Sequence, residues 1–271
     1  MSVAISLVGW SYWKEALVPV LLSFGIVLLA ALHFEMFRRI NRSVVSLGRD
    51  LEGKVEDDGS INFHQVEALC NLLAVIKPST VLPQTRLWSA WPDFLQTLFV
   101  LITERRPNLV LELGSGVSTL IAAYALKQNG GGRIISLDHL DHCVEASRRN
   151  IGQHGLHHYV GVVHPPLKPI RLRDREALWY DSAQIESLRE IDLLIVDGPP
   201  ASVQSMARYP ALPVLFEKLA ANAVILVDDA YRPDEERMVH QWLEEFEGLE
   251  AEFLRLGQGA YVLRRRDPER G

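Results

Sequence analysis

The chain has 271 residues, and 28 Lys and Arg against 34 Asp and Glu give it a formal net charge of −6. Hydrophobic residues make up 48% of the sequence, which is enough for a full core and excludes the disordered and collagen-like classes. Two widely separated cysteines, Cys70 and Cys143, exclude a disulfide framework and a CxxC metal cluster. Because general nucleic-acid binders usually carry a basic excess, we expect no nucleic-acid partner.

An uncharged apolar stretch near the N-terminus, Ala16–Phe34, predicts a membrane-spanning helix. At about 1.5 Å per residue, such a helix spans about 28 Å, close to the thickness of a bilayer core. Basic residues follow it at Arg38, Arg39 and Arg42, which predicts that its C-terminal side faces the cytoplasm. A cleaved signal peptide and a buried core helix are the alternatives, although Lys14 is the only early cation for a signal peptide.

The composition after the apolar stretch predicts three segments. We expect a single-pass transmembrane anchor over residues 1–36, a polar juxtamembrane linker over 37–60, and a soluble domain over 61–271 facing the cytoplasm. The linker ends in Asp57-Asp58-Gly59-Ser60, a sequence typical of a turn.

Apolar runs alternate with helix-compatible stretches through the soluble domain. Two helices are predicted first, over Asn62–Lys77 and Pro92–Arg106. The predicted strands are Asn108–Leu113, Arg133–Asp138, Tyr159–His164 (the weakest), Ile191–Asp197 and Asn222–Asp229. A hairpin through Gly257-Gln258-Gly259 would add an antiparallel strand at the end. This alternation predicts an α/β fold with a mostly parallel sheet and helices on both faces.

A glycine turn and a distant acid predict a nucleoside site. Gly114-Ser115-Gly116 follows the first strand, where it allows a tight turn and a close approach of a ligand to the backbone. Asp138 ends the next strand, at the spacing at which a carboxylate binds ribose hydroxyls, and His139 beside it is expected to line the same pocket. The alternative is a tight turn with a solvated Asp138.

The turn departs from the dinucleotide-binding fingerprint. Thr119 replaces the third glycine, and Glu112 lies where its charge would repel a pyrophosphate but favour a cationic ligand or an amino group. The run from Glu112 to Gly116 resembles the first motif of the class I S-adenosylmethionine-dependent methyltransferases: acid, any residue, Gly, any residue, Gly. The resemblance covers about Thr80 to Arg266.

This resemblance implies a Rossmann-like, mostly parallel seven-stranded sheet with an antiparallel last strand, and S-adenosylmethionine as the cofactor. In that family the glycine turn lies beside the methionine part of the cofactor, and the acid ending the second strand binds the ribose. The cofactor-binding residues implied here are Glu112, Gly114, Ser115, Gly116, Asp138 and His139.

Three carboxylates follow two later strands: Asp197, then Asp228 and Asp229. If these strands are neighbours, the carboxylates converge, and such a cluster requires a cation such as Mg²⁺ or Ca²⁺, or raised pKa values. The pattern resembles the catechol and sugar O-methyltransferases that hold a divalent ion, which implies all three as metal ligands and Asp197 also as the catalytic residue that takes the proton. The alternative is that Asp197 only lines the pocket, while Asp228 or Asp229 caps the following helix.

These expectations combine into a membrane-anchored methyltransferase that acts on an oxygen of a small or lipid-linked acceptor. A nicotinamide-dependent oxidoreductase and a non-catalytic membrane-anchored scaffold are the alternatives from other classes. Weaker candidates for contacts with the cofactor or the acceptor are Trp88, Trp91, Trp179, Tyr180, Asp181, Arg208 and Tyr209. For the tryptophans, packing in the core is the competing interpretation.

Overall fold

The computed structural model describes residues 2–83, 90–173 and 175–265. The chain divides into two compact units, Met1–Ser60 and Ile61–Gly271. Helix α1 covers Ser2–Ile76 and runs through residues 57–60, so the predicted turn is wrong. The single glycine in that stretch costs a helix about 1 kcal/mol, which helical flanks on both sides outweigh.

The first unit contains one helical stretch that is long and apolar enough to cross a membrane. This stretch is Pro19–Val44, with a mean hydropathy of 2.1, and none of its most apolar window is buried inside the protein. It overlaps the predicted span Ala16–Phe34. A membrane anchor and a signal sequence both have this length and composition. The membrane anchor and its orientation therefore stay predictions.

Seven strands form the central sheet in the order β3-β2-β1-β6-β7-β9-β8. Their bounds are β1 Leu109–Leu113, β2 Arg133–Leu137, β3 Val160–Val163, β6 Ile191–Val196, β7 Leu219–Asp228, β8 Leu249–Leu254 and β9 Ala260–Arg265. Strand β9 runs antiparallel to its two neighbours, β7 and β8, and the other neighbouring pairs in this sheet are parallel. Strand β1 is buried along its whole length, which explains its uninterrupted apolar sequence. The predicted mostly parallel sheet with a terminal hairpin is therefore confirmed.

Helices cover both faces of this sheet, as predicted. Their bounds are α2 Pro92–Arg105, α3 Val117–Asn129, α4 Asp141–Gln153, α5 Ala211–Leu215 and α6 Pro233–Glu245. Two apolar cores result: α2 and α3 contribute to one, and α5 and α6 to the other. The predicted helix Asn62–Lys77 is the C-terminal part of α1, where Ala68, Leu72 and Ile76 are buried.

The connection between β3 and β6 is a hairpin that the sequence analysis did not predict. Its strands, β4 Leu167–Leu172 and β5 Arg175–Tyr180, form a separate two-stranded antiparallel sheet. Parallel strands are usually joined by a crossover helix. Here the hairpin packs on the second core instead, with Trp179 fully buried. Lys168, Pro169, Arg171 and Arg175 interrupt the apolar pattern of these strands, so the sequence pattern did not indicate a hairpin.

Candidate active site

A cavity of about 470 Å³ lies at the carboxyl ends of β1, β2, β6 and β7. Open parallel sheets bind ligands at this edge, and small-molecule sites are usually about 300–1,000 Å³ in size. Of the predicted site residues, those that line it are Gly114, Ser115, Asp138, His139, Asp197, Asp228 and Asp229. Trp91, Tyr180 and Arg208 from the weaker candidates also line it, whereas Trp88 lies outside the described residues.

The glycine turn after β1 requires glycine at Gly114. This residue has a φ of +97°, and a Cβ there would lie 3.0 Å from the carbonyl oxygen of Asp197. Glycine therefore lets the end of β1 approach the end of β6 closely. Gly116, at the N-terminus of α3, is not among the cavity-lining residues, and a Cβ on it would meet no atom within 4 Å.

Asp138 holds the turn from the neighbouring strand. Its Oδ2 accepts hydrogen bonds from the Ser115 N–H at 2.9 Å and the Ser115 hydroxyl at 3.2 Å, and its Oδ1 accepts one from the Leu140 N–H at 3.0 Å. A carboxylate offers about four acceptor positions, so one remains for a ligand hydroxyl. The two predicted ends of the cofactor site are thus directly connected.

Glu112 lies among buried neighbours rather than among the cavity-lining residues. It accepts hydrogen bonds from the hydroxyls of Thr119 at 2.5 Å and Ser136 at 2.6 Å, and burial raises its pKa to about 7. Thr119 in turn accepts the Gly116 N–H at 3.1 Å. The residue that replaces the third glycine therefore links Glu112 to the turn. Direct contact of Glu112 with a cofactor stays a prediction, because the observed contacts support the turn.

His139 contributes a neutral ring to the cavity wall. Its side chain is 13% exposed, and Nδ1 lies 3.8 Å from Oδ1 of Asp138. Burial lowers the pKa of His139, so the imidazole is uncharged at neutral pH. Nδ1 has no hydrogen-bond partner in the described part of the chain. The ring presents one unpaired nitrogen beside the carboxylate predicted to bind ribose.

The three carboxylates meet because β6 and β7 are adjacent. One oxygen from each of Asp197, Asp228 and Asp229 lies within 4.8 Å of the others. Burial raises the pKa of Asp197 to about 7 and raises that of Asp228 well above its ordinary value. Helix α6 begins after Arg232 with no side-chain cap, so neither Asp228 nor Asp229 caps it.

A buried arginine connects these carboxylates, a role that the sequence analysis did not assign. Nη2 of Arg208 donates to Oδ2 of Asp229 at 2.8 Å and to Oδ1 of Asp197 at 3.0 Å, and Nη1 donates to the carbonyl oxygen of Asp228 at 3.1 Å. The Arg208 side chain is only 4% exposed. The one feature of the sequence that pointed to this role of Arg208 was the excess of acids at the ends of β6 and β7. Such an excess requires a nearby cation.

The donor set also fits a divalent cation. Arg208 and Arg232 pair with Asp229, and Nε of Arg208 lies 3.6 Å from Oε1 of Glu235. Together with Asp197 and Asp228, these residues place four carboxyl groups beside two guanidinium groups. Carboxylate oxygens are the ligands that Mg²⁺ and Ca²⁺ prefer. Asp197, Asp228 and Asp229 are the residues that would hold such an ion.

Comparison with known proteins agrees with this architecture. Residues 111–230 match a family model described as a methyltransferase domain, whereas the comparison with curated proteins gives no match. A methyltransferase from Podospora anserina bound to S-adenosylhomocysteine is similar, with 16% identity, a TM-score of 0.58, and coverage of 78% of this chain and 96% of that one.

Two further solved structures share the fold. An O-methyltransferase from Bacillus cereus in complex with S-adenosylhomocysteine has 18% identity and a TM-score of 0.52, over 74% of this chain and 91% of that one. An O-methyltransferase from Streptomyces achromogenes in complex with S-adenosylmethionine has 16% identity and a TM-score of 0.51, over 75% of this chain and 89% of that one.

Proposed function

We propose that the chain is a class I S-adenosylmethionine-dependent methyltransferase and that it transfers the methyl group to an oxygen of a small or membrane-associated acceptor. One observation carries the proposal: a single cavity joins the turn at Gly114 and Asp138 to the carboxylates that follow β6 and β7. The first group fits the cofactor, and the second fits a hydroxyl acceptor that must lose a proton. The O-methyltransferases of similar fold from B. cereus and S. achromogenes support the choice of oxygen.

The cofactor side rests on residues that already form a cradle. Gly114 and Ser115 supply the turn, the remaining acceptor position of Asp138 takes a ribose hydroxyl, and His139 closes the wall beside it. These contacts position one substrate against the other, which is the main contribution an enzyme makes to methyl transfer.

Asp197 is the proposed catalytic residue because it faces both halves of the cavity. Its side chain is 19% exposed, and Arg208 holds its Oδ1, leaving Oδ2 to accept the acceptor's proton. The cofactor supplies a sulfonium methyl group: the bond from sulfur to the methyl carbon breaks as the bond from oxygen to that carbon forms, and S-adenosylhomocysteine leaves. The hydroxyl proton passes to Asp197, which balances the loss of the positive charge on sulfur.

We further propose a divalent cation, Mg²⁺ in the first instance, at Asp197, Asp228 and Asp229. When bound, it would lower the pKa of the acceptor hydroxyl. Titration calorimetry should show Mg²⁺ binding to the wild type and at least tenfold weaker binding to Asp228→Asn. Asp141→Asn, an exposed acid at the same edge, should bind as the wild type does. Equal Mg²⁺ affinity of Asp228→Asn and Asp141→Asn would contradict the proposed metal site.

We propose as well that the N-terminal helix anchors the chain in the membrane. The apolar stretch Pro19–Val44 and the basic residues Arg38, Arg39 and Arg42 support a single-pass anchor with the soluble domain in the cytoplasm. An anchored enzyme reaches acceptors at the membrane surface, which motivates the lipid-linked alternative to a small soluble acceptor.

The proposed function is tested first by cofactor binding. Calorimetry should show S-adenosylhomocysteine binding to the wild type, binding at least tenfold weaker for Asp138→Asn, and unchanged binding for Asp141→Asn. Transfer from ¹³C-methyl-labelled S-adenosylmethionine to membrane extracts should then give a product whose methyl carbon resonates as an O-methyl group. Binding of nicotinamide dinucleotides in preference to S-adenosylhomocysteine would overturn the assignment, and an N-methyl product would overturn the oxygen acceptor.

A further inference from the structure

Tyr180 brings a hydroxyl group from the β4–β5 hairpin into the cavity. It is the last residue of β5, pairs with Leu167 at the start of β4, and is 1% exposed although it lines the cavity. Its ring packs against Trp179 and His139, with centroids 5.0 Å and 6.2 Å away. The hairpin therefore fixes the ring before any ligand binds.

The hydroxyl lies where the two halves of the cavity meet. A Cβ on Gly198, the residue after Asp197, would lie 2.8 Å from the Tyr180 hydroxyl oxygen and 3.1 Å from Cα of Gly114. The absence of a side chain at Gly198 leaves this space to the tyrosine. The Tyr180 hydroxyl is thus adjacent to the glycine turn on one side and to the proposed catalytic acid on the other.

This hydroxyl has no hydrogen-bond partner among the residues that the structure describes, although the hydroxyl of a buried tyrosine usually finds one. Burial raises the pKa of Tyr180 well above its ordinary value, so the group is protonated and able to donate at neutral pH. Such an unpartnered donor, which faces a cavity from a rigid hairpin, indicates that a bound ligand supplies the hydrogen-bond acceptor.

On the proposed function, the ligand beside the glycine turn is the methionine part of the cofactor. That part carries an ammonium, which donates, and a carboxylate, which accepts. Asp138 and Asp197 line the same cavity, but carboxylates are acceptors, so the cofactor's carboxylate still needs a donor. We infer that the Tyr180 hydroxyl donates a hydrogen bond to the cofactor's methionine carboxylate, which makes it a cofactor-positioning residue.

The test compares two ligands that differ only at that end. S-Adenosylhomocysteine has the amino-acid carboxylate, and 5′-methylthioadenosine has the same nucleoside and sulfur without it. By calorimetry, Tyr180→Phe should bind S-adenosylhomocysteine about tenfold more weakly than the wild type, as expected for one hydrogen bond to a charged group. Its affinity for 5′-methylthioadenosine should be unchanged, which also shows that the variant is folded.

Tyr124→Phe is the matched control. Tyr124 is also buried, but its hydroxyl contacts Nδ1 of His154 at 2.7 Å and does not line the cavity, so both affinities should stay at the wild-type values. Unchanged binding of S-adenosylhomocysteine to Tyr180→Phe, or an equal loss for both ligands, would overturn the inference and leave the proposed function standing. A wild type that binds no S-adenosylhomocysteine would overturn both.

Discussion

Arg208 stabilises the acidic edge of the sheet. Its guanidinium donates to two carboxylates and two backbone carbonyls at the ends of β6 and β7, and it is almost fully buried. Removing one partner of a buried ion pair leaves the other charge without compensation. Arg232 also pairs with Asp229, but its side chain is 44% exposed, so water replaces it readily.

We therefore expect Arg208→Ala to lower the free energy of unfolding by about 3–5 kcal/mol, and Arg232→Ala by less than about 1 kcal/mol. Arg208→Lys should lower the free energy of unfolding by an intermediate amount. Lysine keeps the charge but lacks the planar guanidinium that donates to both carboxylates. Thermal unfolding of the detergent-solubilised chain measures all three. A loss for Arg208→Ala no larger than that for Arg232→Ala would contradict this account.

Glu112 makes stability depend on pH. Its pKa is about 7 in the folded chain against an ordinary value of 4.5, so the folded state holds this proton more tightly than the unfolded state does between those values. The free energy of unfolding therefore falls as the pH rises through that window. A shift of this size corresponds to about 3 kcal/mol at most.

Glu112→Gln should remove this part of the pH dependence, because glutamine occupies the same space without a titrating proton. We expect the loss of stability between pH 4.5 and pH 7 to be smaller in Glu112→Gln than in the wild type. Asp197, whose charge also raises the pKa of Glu112, is present in both proteins and contributes to both pH profiles. Glu145→Gln, with a side chain 70% exposed, should behave as the wild type. Identical pH profiles for Glu112→Gln and the wild type would refute the prediction.

At the scale of elements, the C-terminal part of α1 belongs to the second compact unit, Ile61–Gly271. Leu72 and Ile76 from this part contribute to the apolar core that α2 and α3 also form. Burying an aliphatic side chain of this size contributes about 1.5–3 kcal/mol each. The segment from Ile61 onward is therefore part of the folded unit.

Two truncated forms test this assignment. A chain that begins at Ile61 should unfold cooperatively and bind S-adenosylhomocysteine as tightly as the full chain. A chain that begins at Lys77 lacks Leu72 and Ile76 and should lose several kcal/mol of stability. Circular dichroism melts and calorimetry measure both. Equal stability of the two forms would show that the helix contributes nothing to the core.

At the scale of the whole molecule, the chain combines an apolar N-terminal helix with a second unit, Ile61–Gly271, that has its own core. We expect the full chain to stay with membranes after an alkaline carbonate wash, and the form beginning at Ile61 to be released. Protease added outside intact cells should leave the second unit uncut if that unit faces the cytoplasm. Recovery of a mature protein without Pro19–Val44 would instead identify that stretch as a cleaved signal.

The sequence by itself determined the features that depend on short stretches of chain. These are the buried parallel strands, which read as continuous apolar runs, the terminal hairpin around Gly257 and Gly259, and the glycine turn after β1. It also placed Asp138 and the three later carboxylates at strand ends, which parallel pairing brings to one edge.

Only the tertiary structure decided which side chains meet. It placed Arg208 among the three carboxylates, Glu112 among buried hydroxyls rather than in the cavity, and Tyr180 beside the glycine turn through a hairpin where a helix was the ordinary expectation. The physical reason is that strand pattern and turn chemistry depend on neighbouring residues, whereas ion pairs, burial and cavity walls depend on groups far apart in the chain.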